Sequence, residues 1–159
     1  MRSAGRIFEG GRKVEKRMNI LFFIKPKNEV VYLYDDFTVR QAMEKMEFHK
    51  FSATPIINRE GEYVGTVTEG DFLWFMKDCA GFDIKKAEDT YLKDMKRKFS
   101  NQPVNVNSSM DDLLIKAISQ NFVPAVDDHK KFIGIITRQE IIKYYYNQYK
   151  KFEQDAGTV

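Results

Sequence analysis

The sequence feature that most constrains this chain is a pattern that occurs twice. "YVGTVTEGDFL" begins at Tyr63 and "FIGIITRQEII" begins at Phe132. Both run from an aromatic residue through a glycine and alternating apolar residues to a threonine, with an acidic residue three positions later. A shift of 69 positions aligns the two without a gap and also aligns Pro55 with Pro124. Such self-similarity predicts two supersecondary units that bury their apolar faces against each other.

Each copy predicts the same order of elements. A short β-branched strand ("VVYL", "VNV") precedes an amphipathic helix, for which Thr38 and Ser109 are the expected N-caps. A strand through the proline ("ATPIIN", "FVPAVD") turns into a second strand that ends in threonine, and a helix closes the unit. The expected fold class is therefore α/β (α+β), with two β-α-β-β-α repeats packed with pseudo-two-fold symmetry into one module.

Composition supports a globular protein and argues against two classes of partner. Of 159 residues 43% are hydrophobic, and none of the apolar runs approaches the roughly 20 residues of a membrane span. The formal charge of +3 is localised, because residues 1–17 carry a net +4 and leave −1 for the rest. Nucleic-acid binding is therefore not expected. Cys79 is the sole cysteine, which favours a reducing, cytoplasmic location.

Composition shifts also suggest how the chain is divided. The first segment is rich in glycine and basic residues and reads as a flexible leader or tag. The polar stretch between the two copies reads as a linker. The expected boundaries are 1–17 for the leader, 18–78 for repeat 1, 79–90 for the linker, 91–150 for repeat 2 and 151–159 for a C-terminal tail.

The doubled order "hxP-h-h-(D/N)", turn, "hhGhhT-x-x-(D/E)" resembles the cystathionine-β-synthase (CBS) repeat. Two such repeats resemble a CBS pair, or Bateman module, over roughly residues 19–149. The resemblance implies a cleft between the halves that binds an adenine nucleotide. The second half is especially similar to stand-alone CBS-pair proteins that bind cyclic di-AMP, which makes cyclic di-AMP the leading candidate ahead of AMP, ADP or ATP.

Carried over by resemblance, the first site would use Thr68 for phosphate and Asp71 for the ribose hydroxyls. Gly70 would keep a side chain out of the way, and Lys50 is a candidate phosphate contact. The residues expected near the base or sugar are Val30, Val31, Ser52 and Thr54.

The second site would use Thr137, Arg138 and Glu140. The residues expected around its base are Val104, Asn121 and Val123. Arg138 holds the place of a phosphate-binding arginine, whereas Glu29 stands where the related proteins have a lysine. Glu140 is one methylene longer than the usual aspartate, so we expect unequal sites. The alternative interpretation is structural: both threonines and both acids would only cap the closing helices.

The closing helices carry large apolar residues on more than one face, which predicts a homodimer. The residues assigned to that interface are Phe72, Trp74, Phe75, Ile141 and Tyr145. His49 and His129 show no metal-binding or catalytic spacing, so neither catalytic residues, a metal nor a required cofactor is expected. The expected function is nucleotide sensing that is relayed to an unknown effector protein. A ligand-free interaction module and a small nucleotide-acting enzyme are the alternatives.

Overall fold

A computed structural model describes residues 18–98 and 101–157, so the predicted leader lies outside the described residues. The first half contains six elements. They are β1 (Lys25–Pro26), β2 (Leu33–Tyr34), α1 (Val39–His49), β3 (Ala53–Ile57), β4 (Tyr63–Thr68) and α2 (Glu69–Asp78).

After a short connecting helix, α3 (Ile84–Asp89), the second half repeats the order of the first half from β2 onward. Its elements are β5 (Val104–Asn105), α4 (Met110–Ser119), β6 (Phe122–Val126), β7 (Phe132–Thr137) and α5 (Arg138–Ala156). The predicted α+β class with two β-α-β-β-α repeats is confirmed. Helix α5 is almost twice as long as α2, with 19 residues against 10.

Local capping explains where the first helix of each repeat begins. The Thr38 hydroxyl accepts the N–H of Gln41, and the Gln41 side chain accepts the N–H of Thr38 in return. Ser109 and Asp112 form the same reciprocal pair at α4. Each box satisfies backbone donors that a helix start leaves without partners. Both predicted N-caps are therefore confirmed.

One of the two sheets takes its edge strand from the opposite half. One sheet has the order β2-β3-β4, but the other has the order β1-β7-β6-β5, so an N-terminal strand completes the second half. Strand β1 runs antiparallel to β7 with Lys25 opposite Ile135. The residues just before β1 follow the same route, because Ile20 and Phe23 are buried in the hydrophobic core of the second half.

The reverse exchange involves the segment that precedes the second repeat. Ala87, Leu92 and Met95 are buried in the core of the first half, around Leu33 and Val67. The N–H of Leu92 also donates to the carbonyl oxygen of Phe37 at 2.8 Å. Each half is thus completed by the chain segment that leads into the other half, which ties the two repeats into one module.

The pseudo-two-fold relation is visible where the two β-hairpins meet. The N–H of Phe132 donates to the carbonyl oxygen of Gly61 at 2.9 Å, and the N–H of Tyr63 donates to that of Lys130 at 3.4 Å. Gly61 and Lys130 are equivalent under the shift of 69 positions, as are Tyr63 and Phe132, whose rings stack with centroids 6.3 Å apart. Because equivalent residues pair with each other, the symmetry axis passes between the hairpins.

The glycine of the second repeat pattern is explained by this exchange. A Cβ on Gly134 would collide with the carbonyl oxygen of Lys25, because β1 lies directly over this position. At the equivalent Gly65 the obstacle is the guanidinium of Arg97, the mobile end of a side chain. Backbone packed on backbone cannot yield as a side chain can, so we infer that the requirement for glycine is stricter in the second repeat.

The closing helices bury one face and expose the other. Phe72 and Ile141, both assigned to a dimer interface above, are buried in the cores of their own halves and cannot provide such contacts. Phe75 is partly buried against the first core, whereas Trp74 and Tyr145 are 47% and 44% exposed. Other large apolar side chains exposed on these helices are Leu73, Ile142, Tyr146, Tyr149 and Phe152. Among the described helices, none is long and apolar enough to cross a membrane.

Candidate nucleotide clefts

The first cleft is built around Asp71, which is only 3% exposed. Its Oδ2 accepts hydrogen bonds from both the N–H and the hydroxyl of Thr68, each at 2.9 Å. Its Oδ1 accepts the N–H of Lys98 at 3.1 Å. The Thr68 hydroxyl in turn accepts the N–H of Asp71. Asp71 therefore completes the capping box at the start of α2 and holds the segment that leads into β5 by a hydrogen bond to Lys98.

This arrangement bears on the role expected of Asp71. A carboxylate that grips ribose needs free lone pairs facing the cleft. Here Oδ2 accepts two hydrogen bonds and Oδ1 accepts one, and the side chain is buried, so only the remaining lone pair of Oδ1 is left for a ribose hydroxyl. The structure thus shows the capping arrangement that was the structural alternative for Thr68 and Asp71.

The second cleft lies at the corresponding end of β7 and is open. It has a volume of about 420 Å³ and is lined by Thr137 and Glu140 together with Lys25, Glu29 and neighbouring residues of the exchanged N-terminal segment. The Thr137 hydroxyl caps α5 by accepting the N–H of Glu140 at 3.3 Å. The Glu140 carboxylate is exposed and makes no hydrogen bond or ion pair with the described residues. The Asp-to-Glu difference therefore accompanies a real difference between the clefts.

The side chain of Arg138 lies at the C-terminal end of α4, a position that the sequence did not predict. Its Nε donates to the carbonyl oxygens of Ala117 at 3.0 Å and Gln120 at 3.3 Å, and an Nη donates to that of Ile118 at 3.5 Å. These carbonyls lie at the C-terminal end of α4, where the helix leaves acceptors unpaired and where a cation is favourable. Arg138 thus links α5 to α4, and a phosphate ligand would have to recruit it from these partners.

Because the leading segments cross between the halves, the residues expected near the base of one site lie beside the other site. Val30 and Val31 were expected at the site of Asp71. They directly follow the chain segment that lines the cleft of Thr137 and Glu140 instead. They line a separate pocket next to the start of β7. The segment that contacts Asp71 is instead the one that leads into β5. Each cleft therefore combines the closing helix of one repeat with the leading segment of the other.

Three of the expected ligand residues have side chains inside the cores. Val104 and Val123 belong to the core of the second half, and both are at most 1% exposed. Thr54 lies opposite Val67 in the β3–β4 pairing, so its side chain faces the first core, where its hydroxyl is buried without a hydrogen-bond partner. The side chains of these three residues cannot contact a ligand in a cleft.

The remaining expected contacts are exposed but dispersed. Ser52 is exposed and its carbonyl oxygen accepts the N–H of Glu69 at the start of α2. Lys50 ends α1 in a left-handed conformation and lines the groove between α1 and α2. Asn121 is exposed, and its carbonyl oxygen accepts the N–H of Arg138. Ser52 and Asn121 are equivalent under the shift of 69 positions, and each contacts the start of the closing helix of its repeat through its carbonyl oxygen.

Sequence reasoning missed Lys25 and Lys98, which contact the clefts through the exchanged segments. Periodicity does not reveal them, because β1 has only two residues and Lys98 follows a short 3-10 turn. Within residues 18–98 and 101–157, no group of three or more His, Cys, Asp or Glu side chains is placed to hold a metal ion.

The fold defines a tandem α+β module in which the closing helix of each repeat is joined by the leading segment of the other repeat. The CBS domain family matches residues 23–78 and 88–147, which is most of the chain. The chain belongs to the CBS-domain family and carries two CBS domains.

Solved structures share this architecture. CbpB in complex with c-di-AMP superimposes with a TM-score of 0.75 and 23% identity, over 87% of this chain and 91% of that one. CBSX2 in complex with AMP superimposes with a TM-score of 0.64 and 22% identity, over 81% and 96%. The inosine-5'-monophosphate dehydrogenase of Methanocaldococcus jannaschii is 27% identical over 135 residues, which are 82% of this chain but 25% of the enzyme. The chain spans less than half of each curated relative that it matches.

Proposed function

We propose that this CBS pair is a regulatory protein that binds an adenine nucleotide in its second cleft and relays occupancy to a partner protein. The observation that carries the proposal is the open cleft at Thr137 and Glu140, in contrast to the occupied acceptors of Asp71. Support comes from the structural relatives, since one is a CBS-pair protein with c-di-AMP bound and another has AMP bound. Both match over nearly their whole length.

The lining of the second cleft suits the nucleoside part of such a ligand. Glu29 and Glu140 present acceptors that fit ribose hydroxyls or an exocyclic amine. Lys25 and the N-terminal end of α5 offer positive charge and N–H donors for phosphate. Arg138 would join them by exchanging a carbonyl partner on α4 for a phosphate oxygen, a stronger charge-assisted bond. Cyclic di-AMP remains the leading candidate, followed by AMP, ADP and ATP.

Signalling would follow from the shared construction of the cleft. A ligand that contacts both α5 and the exchanged segment favours the state in which the two halves are held together. The exposed apolar faces of α2 and α5 would present that state to a second copy or to an effector. Such a relay requires no catalysis, and we propose a non-enzymatic protein of the reducing cytoplasm.

The test is a thermal-shift panel with cyclic di-AMP, AMP, ADP and ATP. Ligand at a hundredfold excess over Kd should add about 2.7 kcal/mol to the free energy of unfolding. For a chain of this length that stabilisation raises the Tm by about 5–10 °C. Glu140→Gln and Arg138→Ala should reduce the shift. Glu69→Gln, the same charge change on the exposed first turn of α2, should leave it intact.

A panel in which no nucleotide raises the Tm would refute the sensor and favour the ligand-free interaction module. That alternative has its own support in an apolar groove of about 530 Å³ between α1 and α2. Met43, Phe51 and Leu73 are among the residues that line it. Light scattering would then show whether a second copy covers this face.

A further inference from the structure

A further pocket lies away from both clefts. It has a volume of about 850 Å³ and lies between α1, the segment before β2 and the start of β7. We call it the basic pocket; the lining residues that matter here are Lys27, Val31, Tyr32, Lys45, His49 and Phe132. It shares only Pro26 with the cleft of Thr137 and Glu140. Its volume falls in the range of small-molecule sites.

Two lysines converge on one aromatic ring in this pocket. The Nζ of Lys27 lies 5.3 Å from the centroid of the Tyr32 ring, and the Nζ of Lys45 lies 5.9 Å from it. Neither lysine forms an ion pair with a described carboxylate, and no described carboxylate lines the pocket. Like charges near one ring repel each other, and an anion between them would relieve that repulsion.

The rest of the pocket is lined mainly by apolar and aromatic residues. Val31 and Tyr32 are half-buried, and the buried Phe132 ring supports the Tyr32 ring edge-on, with centroids 6.2 Å apart and an angle of 68° between the planes. The Phe132 ring is also stacked on Tyr63, which fixes it from the other side. Lys45 is fixed as well, since its Nζ donates to the carbonyl oxygen of Tyr32 at 2.9 Å. The site is therefore preformed, and preformed sites lose little entropy on binding.

We propose that the basic pocket is a second ligand site, which binds a small organic anion with a planar apolar body, such as an aromatic phosphate or carboxylate. The anionic group would lie near Lys27 and Lys45, with His49 beside it, and the planar body would lie against the half-buried Val31 and Tyr32. The proposal does not depend on nucleotide binding in the second cleft, because the two sites use different charged residues.

The experiment is a titration of the ¹⁵N-labelled full chain with phenyl phosphate, followed by amide chemical shifts. Saturable shifts are expected at Asn28, Val31 and Phe132. Inorganic phosphate supplies the charge without the ring, and phenol supplies the ring without the charge; both should bind at least about fivefold more weakly. A nucleotide is absent throughout, so failure of this test leaves the proposed nucleotide sensor untouched.

Variants localise the charge. Lys27→Gln, which removes no hydrogen bond of the described structure, should weaken phenyl phosphate about fivefold or more. Lys143→Gln removes the same charge from the exposed surface of α5 and should change the affinity less than twofold. Lys45→Met serves as a second variant, with its folding checked by thermal melting. Equal effects of Lys27→Gln and Lys143→Gln, equal binding of inorganic phosphate, or shifts confined to Thr137 and Glu140 would each overturn the proposal.

Discussion

Substitution of Asp71 and of Glu140, the equivalent residues of the two repeats, should affect stability very differently. Asp71→Ala leaves the backbone N–H groups of Thr68 and Lys98 without their acceptor and frees the Thr68 hydroxyl. Hydrogen bonds to a charged group are worth about 1.5–3 kcal/mol each but are not additive within one network. We expect Asp71→Ala to lower the free energy of unfolding by about 3 kcal/mol.

Glu140→Ala is the matched control because it removes a carboxylate from the same position of the second repeat. That carboxylate is exposed and makes no bond with the described residues, so its loss should change the free energy by less than about 0.5 kcal/mol. In thermal melts without nucleotide, the two changes correspond to a fall in Tm of about 6–12 °C for Asp71→Ala and under about 2 °C for Glu140→Ala.

A third variant separates the effect of the negative charge of Asp71 from the effect of the size of its side chain. Asp71→Asn keeps one acceptor oxygen and should lose about half as much stability as Asp71→Ala. Urea unfolding would give the same order, Ala below Asn below wild type, at constant m value. If Asp71→Ala and Glu140→Ala differ by less than about 0.5 kcal/mol, Asp71 does not hold the cap and the Lys98 segment as described, and its carboxylate is available for ribose after all.

Three further predictions follow from the packing. Gly134→Ala places a methyl group against the backbone of β1 and should lower the free energy of unfolding by more than about 2 kcal/mol. Gly65→Ala meets only the mobile end of a side chain and should lower it clearly less. The midpoints of urea unfolding would compare the two variants. Burial raises the pKa of Tyr63 to about 12, above its unfolded value near 10. The neutral phenol therefore stabilises the fold fully below pH 10, and up to about 2.7 kcal/mol is lost between pH 10 and 12, a loss that Tyr63→Phe should lack in alkaline unfolding. Leu73→Glu and Tyr145→Glu should lower the mass seen by light scattering; unchanged mass would exclude these faces from a dimer.

The repeat elements could be predicted from the sequence because their causes are local. Alternating apolar residues define β3, β4, β6 and β7, and a hydroxyl residue three positions before a polar side chain defines each first helix. The pairing of the two halves could also be predicted, because the two copies align at a constant shift of 69 positions. The hydrogen bonds between the hairpins join residues that are equivalent under this shift. Local patterns thus predicted the order and type of the five elements of each repeat, but not β1 or α3.

The exchange of leading segments could not be predicted, because its causes are distant in sequence. Strand β1 has two residues and no periodicity, yet it lies beside β7, more than 100 residues away. Three expected ligand residues, Thr54, Val104 and Val123, were placed by analogy with a motif, but their strand pairing turns their side chains into the cores. The sequence pattern identified the clefts but not which segments line them.

The same exchange explains why the two clefts differ although their motifs are alike. In the first repeat a short aspartate at the third position of α2 reaches back to Thr68 and also receives the N–H of Lys98. In the second repeat the longer Glu140 leaves the cap to Thr137 alone, and the segment that faces it brings Lys25 and Glu29. The first site is therefore joined by internal hydrogen bonds, while the second keeps charged side chains that have no hydrogen bond or ion pair with the described residues. Under the proposed function, the first site would hold the two repeats together while the second site would remain available to respond to a ligand.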